Sequence, residues 1–500
     1  MQKAEPRSHW DVETDVVVVG YGFAGGVAAV AAHDRGAQVL VLEKMPYPGG
    51  ISMLSAGSAV ITDDAEQAFQ YLQRTNAGTT PDPVLRAFAQ EMVGLPACVE
   101  ELAAVSHAQV EVQHGRGGPY PFPGTRSLGY VRIAAVPEFT AFPWGQGLRG
   151  GARLYKVVAD NVSVRGVRVW LDTAAEELLC APDGTVVGLK ARQQGRAVAI
   201  RARRGVVLAC GGFEHSEALK RQYFPAQPVY GVAALGNMGD GILMAQKAGA
   251  ALWHMWHYHG SYGFKFPDFP TAFRTAVIGP RATGQPVPWI AVNKLGKRFM
   301  DEFPIYLQDT GARPMEHYDT RIQDFPAIPA YLLFDEAGRR MGPIGLGASN
   351  EPQYIYEWSQ DNLREVQRGW IACADTWEQL AHQGGLSPTM VQQAVARWNS
   401  QCLAGGDPDF GRLPETMMPL QEPPYYAVQI WPVVSNTQGG PVHDERQRIL
   451  DSFGQPIPRL YSAGELGSIF GHLYLGGGNI AECFIGGRIA GAGAAQEEPG

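Results

Sequence analysis

The sequence predicts an α/β fold in which a parallel-sheet, dinucleotide-binding domain is interrupted by an inserted α+β domain. Three observations carry this. A β-α-β unit opens the chain, with a glycine-rich turn between its first strand and its helix. Composition changes near residue 275, and residues 275–425 hold strand and helix signals without a second such turn. The chain then closes on a strand, a glycine-rich loop and a helix of small residues. The domains are therefore drawn as 1–274 with 426–500, one discontinuous body, and 275–425 inserted in it.

Each element has its own reason. Residues 15–20 (DVVVVG) form a β-branched apolar run stopped by glycine, the pattern of a strand buried on both faces. Residues 22–34 are alanine-rich and predict a tightly packed helix, and 37–42 predict a second strand ending at Glu43. Residues 63–106 turn to a helical period. Residues 110–146, rich in Gly, Pro and aromatics, predict irregular loops. Residues 167–171, 174–180, 186–191 and 197–202 predict short strands, with a hairpin turn at Asp183-Gly184. A further buried strand is expected at 205–209, a helix at 239–248, and fraying from about Gln496.

Composition narrows the function. Of 500 residues, 45% are hydrophobic and 18% charged, enough for two or three cores. The net charge of −8 and the absence of any Lys/Arg cluster argue against nucleic-acid binding. Cys98, Cys180, Cys210, Cys373, Cys402 and Cys483 lie far apart, with no CxxC spacing for zinc, c-type haem or an iron–sulfur cluster. Scattered thiols fit a reducing compartment. The N-terminus shows no apolar signal core, and no window is apolar enough to span a bilayer, so a cytoplasmic setting is expected. No histidine pair has a third ligand at metal spacing, so no metal is expected.

Gly20-Tyr21-Gly22-Phe23-Ala24-Gly25 is GxGxxG, preceded by a strand and followed by a helix. Gly20 permits the tight turn, Gly22 lets backbone approach a pyrophosphate, and Gly25 lets helix and strand pack closely. The helix N-terminus faces phosphate charge. Glu43, closing the second strand, is placed to accept from ribose hydroxyls.

Further motifs give the chain a family resemblance. Glu43-Lys44 is followed by Gly49-Gly50-Ile51-Ser52. Ala209-Cys210-Gly211-Gly212-Phe213 precedes Gly239-Asp240-Gly241. Ala463-Gly464-Glu465 precedes Gly477-Gly478-Asn479-Ile480-Ala481 and Gly487-Arg488-Ile489-Ala490-Gly491. Together these resemble the flavoproteins of the fumarate reductase and succinate dehydrogenase superfamily. The resemblance implies a Rossmann-like FAD-binding domain and a capping domain at 275–425 that carries substrate-binding and catalytic groups. It implies that Ser52 lies in a loop under the flavin and that Glu465 meets the ribityl chain. The last helix then faces the flavin's pyrimidine edge, where its dipole stabilises negative charge. Covalently flavinylated relatives carry a His after the Gly-Gly; residues 51–55 contain none, so non-covalent FAD is expected. No second strand-associated GxGxxG marks an NAD(P)H site.

The same resemblance addresses the substrate. Asn293, Gly296, Arg298-Phe299 and Glu302 match the fumarate reductase motif, but its acid–base Arg, four residues after the Glu, is here Tyr306. Its carboxylate-binding His is Asn436, and a further carboxylate-binding Arg is Leu475. A dicarboxylate would lose its counter-charges, which is costly in a buried site. Tyr474-Leu475-Gly476-Gly477 resembles instead the last motif of ketosteroid dehydrogenases, with Gly476 in place of Ser. The expected activity is insertion of a C=C bond α,β to the ketone of a cyclic substrate. Tyr306 takes the α proton, Tyr474 serves as relay or carbonyl donor with the two roles exchangeable, and the Gly477 and Gly478 N–H groups polarise the carbonyl. The reverse reaction, saturation of an enone, uses the same residues and stays open. An external acceptor, whether a quinone, an electron-transfer protein or O₂, is expected to remove the electrons. The run from Trp253 to Tyr262, with four aromatics and three His, is a candidate pocket wall.

Overall fold

The computed structural model describes residues 10–147, 149–278, 285–304, 310–349 and 354–500. The chain divides into two compact units. The first comprises Met1–Tyr223, Ala234–Tyr258 and Asn436–Gly500; the second comprises Phe224–Ala233 and His259–Ser435. The second unit thus holds residues 275–425 together with flanking chain and one segment from further upstream.

In the first unit β1 (Val12–Val19), α1 (Phe23–His33) and β2 (Val39–Leu42) make the opening β-α-β. After them come β3 (Ser58–Thr62), α2 (Ala65–Asn76), α3 (Asp82–Val105), β4 (Gln109–Gln113), β5 (Leu128–Ala135) and α4 (Gly150–Val164). The strands β6 (Arg168–Trp170), β7 (Thr173–Cys180), β8 (Val186–Gln193) and β9 (Arg196–Leu208) follow, then α5 (Asp240–Lys247), β10 (Arg448–Leu450), β11 (Pro456–Ser462) and α6 (Gly478–Gln496). An eight-stranded sheet runs β10-β11-β9-β1-β2-β6, with the β7-β8 hairpin joined through β8 to β9. The pairs β11-β9, β9-β1, β1-β2 and β2-β6 are parallel. Val16, Val17 and Val18 are each 0% exposed, as a central parallel strand covered on both faces requires.

Three expectations about this unit need correction. The strands expected at 197–202 and 205–209 are one strand, β9, which pairs with β8 from Arg196 to Arg201 and with β1 from Ile200 to Leu208. Residues 110–146 are not all loop. Strand β5 lies among them and pairs antiparallel with both β3 and β4. The Gly-, Pro- and aromatic-rich chain before it, and Gly129-Tyr130 near its start, hid the alternation that a three-stranded sheet imposes. The tail beyond α6 is tied down rather than frayed: Arg204 donates to the Glu497 carbonyl and the Gly500 N–H donates to Arg203.

Helices α1 and α6 meet backbone to backbone. A Cβ on Gly491 would stand 2.1 Å from the Ala28 carbonyl oxygen, so only glycine allows this approach. The first and last motifs of the chain are thereby locked into one body. In the second unit Trp289–Asn293 pairs antiparallel with Ala330–Phe334, which pairs antiparallel with Tyr425–Thr437. Tyr230–Gly231 joins the same strand in parallel, which is why residues 224–233 leave the first unit. Among the described residues no helix is long and apolar enough to cross a membrane.

Candidate functional site

The glycine-rich turn closes as its sequence requires. Gly20 has φ +99°, and a Cβ there would stand 2.4 Å from the Ala209 carbonyl oxygen. Gly22 is the N-cap of α1 and brings no side-chain cap of its own, and no acid stands in the first turn, so the N-terminal positive charge is not neutralised by a carboxylate within the helix. Ala24 and Gly25 follow, buried. Ser52 comes to this turn: its Oγ accepts from the Phe23 N–H at 2.9 Å. Gly49 also docks here, its N–H donating to the Tyr21 carbonyl at 3.0 Å, with Gly50 opening the short helical turn that carries Ser52. Glu43 is buried and accepts from the Tyr21 N–H at 3.0 Å and the Met45 N–H at 2.9 Å, while burial raises its pKa. The carboxylate expected to bind ribose therefore braces the turn. Lys44 Nζ meets Asp240 Oδ2 at 2.5 Å, joining two motifs 196 positions apart.

A second cradle forms where β9 ends. Ala209 continues it, its N–H donating to Val19. Gly211 and Gly212 follow, and a Cβ on Gly212 would stand 2.0 Å from Thr437 Oγ1, 2.5 Å from Glu465 Oε1 and 2.9 Å from Glu214 Oε1. The Thr437 N–H donates to both carboxyls, at 2.9 Å each. Burial, then the charge of Glu214, pushes Glu465 well above the carboxylate range. Sequence reasoning missed Glu214, which stands immediately after the quoted motif; the signal was a charged residue in an otherwise apolar, glycine-rich stretch. Gly464, in the left-handed region at φ +74°, brings Glu465 to this cradle.

The third region is the start of α6. Gly477 is its N-cap, without a side-chain cap, and the helix has no acid in its first turn. The Tyr130 ring lies against Gly477, 3.2 Å from where a Cβ would be. Tyr474 is 6% exposed, its ring edge-on to Phe470 at 6.0 Å. Leu475 is fully buried in the hydrophobic core. Gly478 departs from the expected role, because its N–H donates to the Leu475 carbonyl at 2.7 Å and closes a turn. The Gly477 N–H makes no hydrogen bond among the described residues. Asn479 is not free either: its Oδ1 accepts from Asn436 at 2.5 Å and its Nδ2 donates to Glu482 at 2.5 Å. Ile480 is buried against the core. Tyr306 lies outside the described residues.

Two histidines of the aromatic run bond to backbone carbonyls. His254 Nδ1 is 2.8 Å from the Ser468 carbonyl oxygen and its Nε2 3.1 Å from that of Thr79. His257 Nδ1 is 2.6 Å from the Phe470 carbonyl oxygen. The two rings hold the loop that leads to Tyr474. In the second unit the segment carrying Arg298 and Glu302 is anchored by a buried ion quartet. Arg298 meets Glu302 at 2.8 Å and Asp407 at 3.1 Å, and Arg412 meets Glu302 at 3.1 Å. Among the described residues no cluster of His, Cys, Asp or Glu is arranged to hold a metal ion.

These features fit FAD. Two helix N-termini with no acid in their first turns suit its anionic phosphates and the charge of its reduced ring. Glu214 Oε2 and Asn237 Nδ2 are buried without a partner among the described residues, as groups meeting a polar ligand would be.

Comparison with known proteins agrees. Residues 15–480 match the model of the FAD-binding domain family. The chain is 30% identical to the cytochrome-type fumarate reductase of Shewanella frigidimarina, over 96% of this chain and 77% of that one. It is 29% identical to the 3-oxosteroid 1-dehydrogenase of Mycobacterium tuberculosis, over 96% of this chain and 97% of that one. Its fold matches the crystal structure of the 3-ketosteroid Δ1-dehydrogenase of Sterolibacterium denitrificans with a TM-score of 0.81, at 24% identity, covering 97% of this chain and 99% of that one.

Proposed function

This chain belongs to the FAD-binding domain family and is an FAD-dependent oxidoreductase acting on CH–CH groups, and from that premise we propose that it desaturates a cyclic ketone at the α,β bond. The observation that supports this reading is the buried Tyr474 beside the open Gly477 N–H, with Leu475 and Asn436 where fumarate reductases carry cations. A phenol and a backbone N–H suit a neutral ketone oxygen; they leave a dicarboxylate unpaired. FAD, when bound, supplies the hydride acceptor. The chain's part is to bind and acidify the substrate. The Gly477 N–H and the Tyr474 hydroxyl hold the carbonyl oxygen, which makes the α C–H more acidic. Tyr306 takes that proton, on the strength of its position in the motif. Burial of Tyr474 and Leu475 keeps water away from the reacting carbons.

Anaerobic mixing with a saturated 3-ketosteroid or a substituted cyclohexanone tests this, and loss of the yellow flavin absorbance is the expected result. Tyr306→Phe and Tyr474→Phe should keep FAD yet slow that loss by about 10²-fold or more. Steady turnover of fumarate or succinate would overturn the substrate class. The 30% identity to a fumarate reductase favours a second reading, reduction of an enone by the reverse chemistry. Rapid oxidation of the pre-reduced enzyme by an enone, without reduction by the ketone, would select it.

A further inference from the structure

Glu482 stands in the second turn of α6 and is 5% exposed. Three donors meet its carboxyl: Asn479 Nδ2 at 2.5 Å, Ser468 Oγ at 3.0 Å and the Ile469 N–H at 3.3 Å. Asn479 carries the network onward to Asn436 at 2.5 Å and Gln438 at 3.3 Å. Its other side borders a cleft between α3 and α6, lined by Val84, Phe88, His443, Glu445, Gln447 and Ile489, of which Glu445 is exposed. Glu482 thus lies between the polar groups at the start of α6 and a small cleft that the exposed Glu445 also lines.

The electrostatics give this position a consequence. A helix N-terminus stabilises an anion near it, and two anions near the same terminus compete for that stabilisation. One is the charge that electrons bring to the cofactor; the other is an ionised Glu482. We propose that Glu482 exchanges one proton with solvent through the cleft, and that its protonation is linked to electron uptake at the cofactor site. A hydride brings two electrons and one proton and leaves one net negative charge. One further proton passes from water to the Glu482 carboxylate. When the external acceptor takes the two electrons, the proton that came with the hydride is released to the acceptor or to water, and the Glu482 proton returns to water. Glu482 touches no reacting atom, so it is a positioning residue acting through Asn479 and the helix. The inference rests on the reading that the first unit holds FAD.

The other charged and titratable neighbours do not supply this proton. From α3 the cleft receives only apolar Val84, Ala87 and Phe88, and Glu91 further along is paired with Arg488 of α6. Across the cleft, burial lowers His443, and beside Glu482 burial raises Cys483, so both stay neutral where a raised carboxyl titrates. Glu445 is exposed. Glu465 is raised well above its ordinary range by burial and by Glu214. Glu482 itself is pushed up to about 8, by burial, with Asn479, Ser468 and the Ile469 N–H opposing.

A spectroelectrochemical titration of the holoenzyme from about pH 6 to about pH 10 tests the linkage. The FAD midpoint potential of wild type should fall more steeply with pH once Glu482 ionises. In Glu482→Gln the steepening should vanish, with the two proteins alike at about pH 6 and the variant higher at about pH 9. Glu482→Asp should restore the break. Superimposed curves, or an offset equal at every pH, would overturn the proposal. If Glu482→Gln does not fold, the reduced-minus-oxidised infrared spectrum of wild type with isotope-labelled glutamate decides. A gain of protonated-carboxyl absorption at about pH 9 supports the linkage, and its absence there overturns it. A wild-type chain that takes up no FAD refutes the cofactor reading instead, a result distinct from all of these.

Discussion

Both units bury acids, but in opposite company. In the second, Glu302 and Asp407 lie between Arg298 and Arg412, and both guanidiniums stack near the Trp398 ring at 4.7 and 4.6 Å. Burial lowers Arg412, while at Arg298 it is outweighed by Glu302 and Asp407. Two positive and two negative charges cancel. In the first unit Glu214, Glu465 and Glu482 are buried as deeply, and among the described residues their hydrogen-bond partners are amides, hydroxyls and backbone N–H groups, with no cation. The difference separates architecture from chemistry. A neutral quartet fixes a segment in place and has no reason to change state. Burial without a cation raises Glu465 and Glu482, and Glu482, beside the cleft, is the one placed to respond when charge arrives nearby.

The comparison breaks first in the second unit. Glu302→Gln leaves Arg412 and Arg298 short of an anion in a dry interior and should cost about 3–5 kcal/mol of stability, measured by denaturant unfolding. A loss under about 1 kcal/mol would show that the quartet is dispensable. Gly22→Val places a branched side chain against Ser52, and the purified protein should be apoprotein, read from its visible spectrum. Wild-type FAD should be released by acid, whereas flavin left on the denatured chain would refute non-covalent binding.

The first unit is sharpened by pH. A carboxyl raised from 4.5 to about 8 keeps a proton in the folded state that the unfolded chain has lost, so its contribution is complete below 4.5 and disappears as pH rises to about 8. Wild-type stability should fall across that interval by about 1.4 kcal/mol per pH unit for this group. Glu482→Gln should flatten that part of the slope in thermal melts across the same range. An unchanged slope would mean that Glu482 is not protonated in the native protein. The smallest effect belongs to the surface: Arg86 and Glu66 meet at 2.6 Å but are both exposed, and Glu66→Gln should cost about 0–1 kcal/mol.

Particular residues show where sequence reasoning sufficed. The parallel β1-α1-β2 unit was legible because four valines and a glycine stop leave few alternatives. The turn at Gly20 was legible for the same local reason. Strand β5 was not, because a short run with Gly129-Tyr130 near its start and Arg132 inside it gains its identity only from β3 and β4 beside it. His254 and His257 looked like pocket lining because sequence shows their side chains but not the carbonyls of Thr79, Ser468 and Phe470 that meet them.

What the sequence by itself determined is a set of local constraints: glycines where backbone must turn or touch, apolar runs where strands are covered, and an acid closing β2. Those follow from steric and solvation rules that act within a few residues. Only the tertiary structure decided which distant groups share a space. It brought Glu214 and Glu465 onto one Thr437 N–H, joined Lys44 to Asp240, engaged the Gly478 N–H in a turn, and set Glu482 between Asn479 and a cleft. The physical reason is that burial and electrostatic neighbourhood depend on what long-range packing assembles, and no periodicity in the chain encodes them.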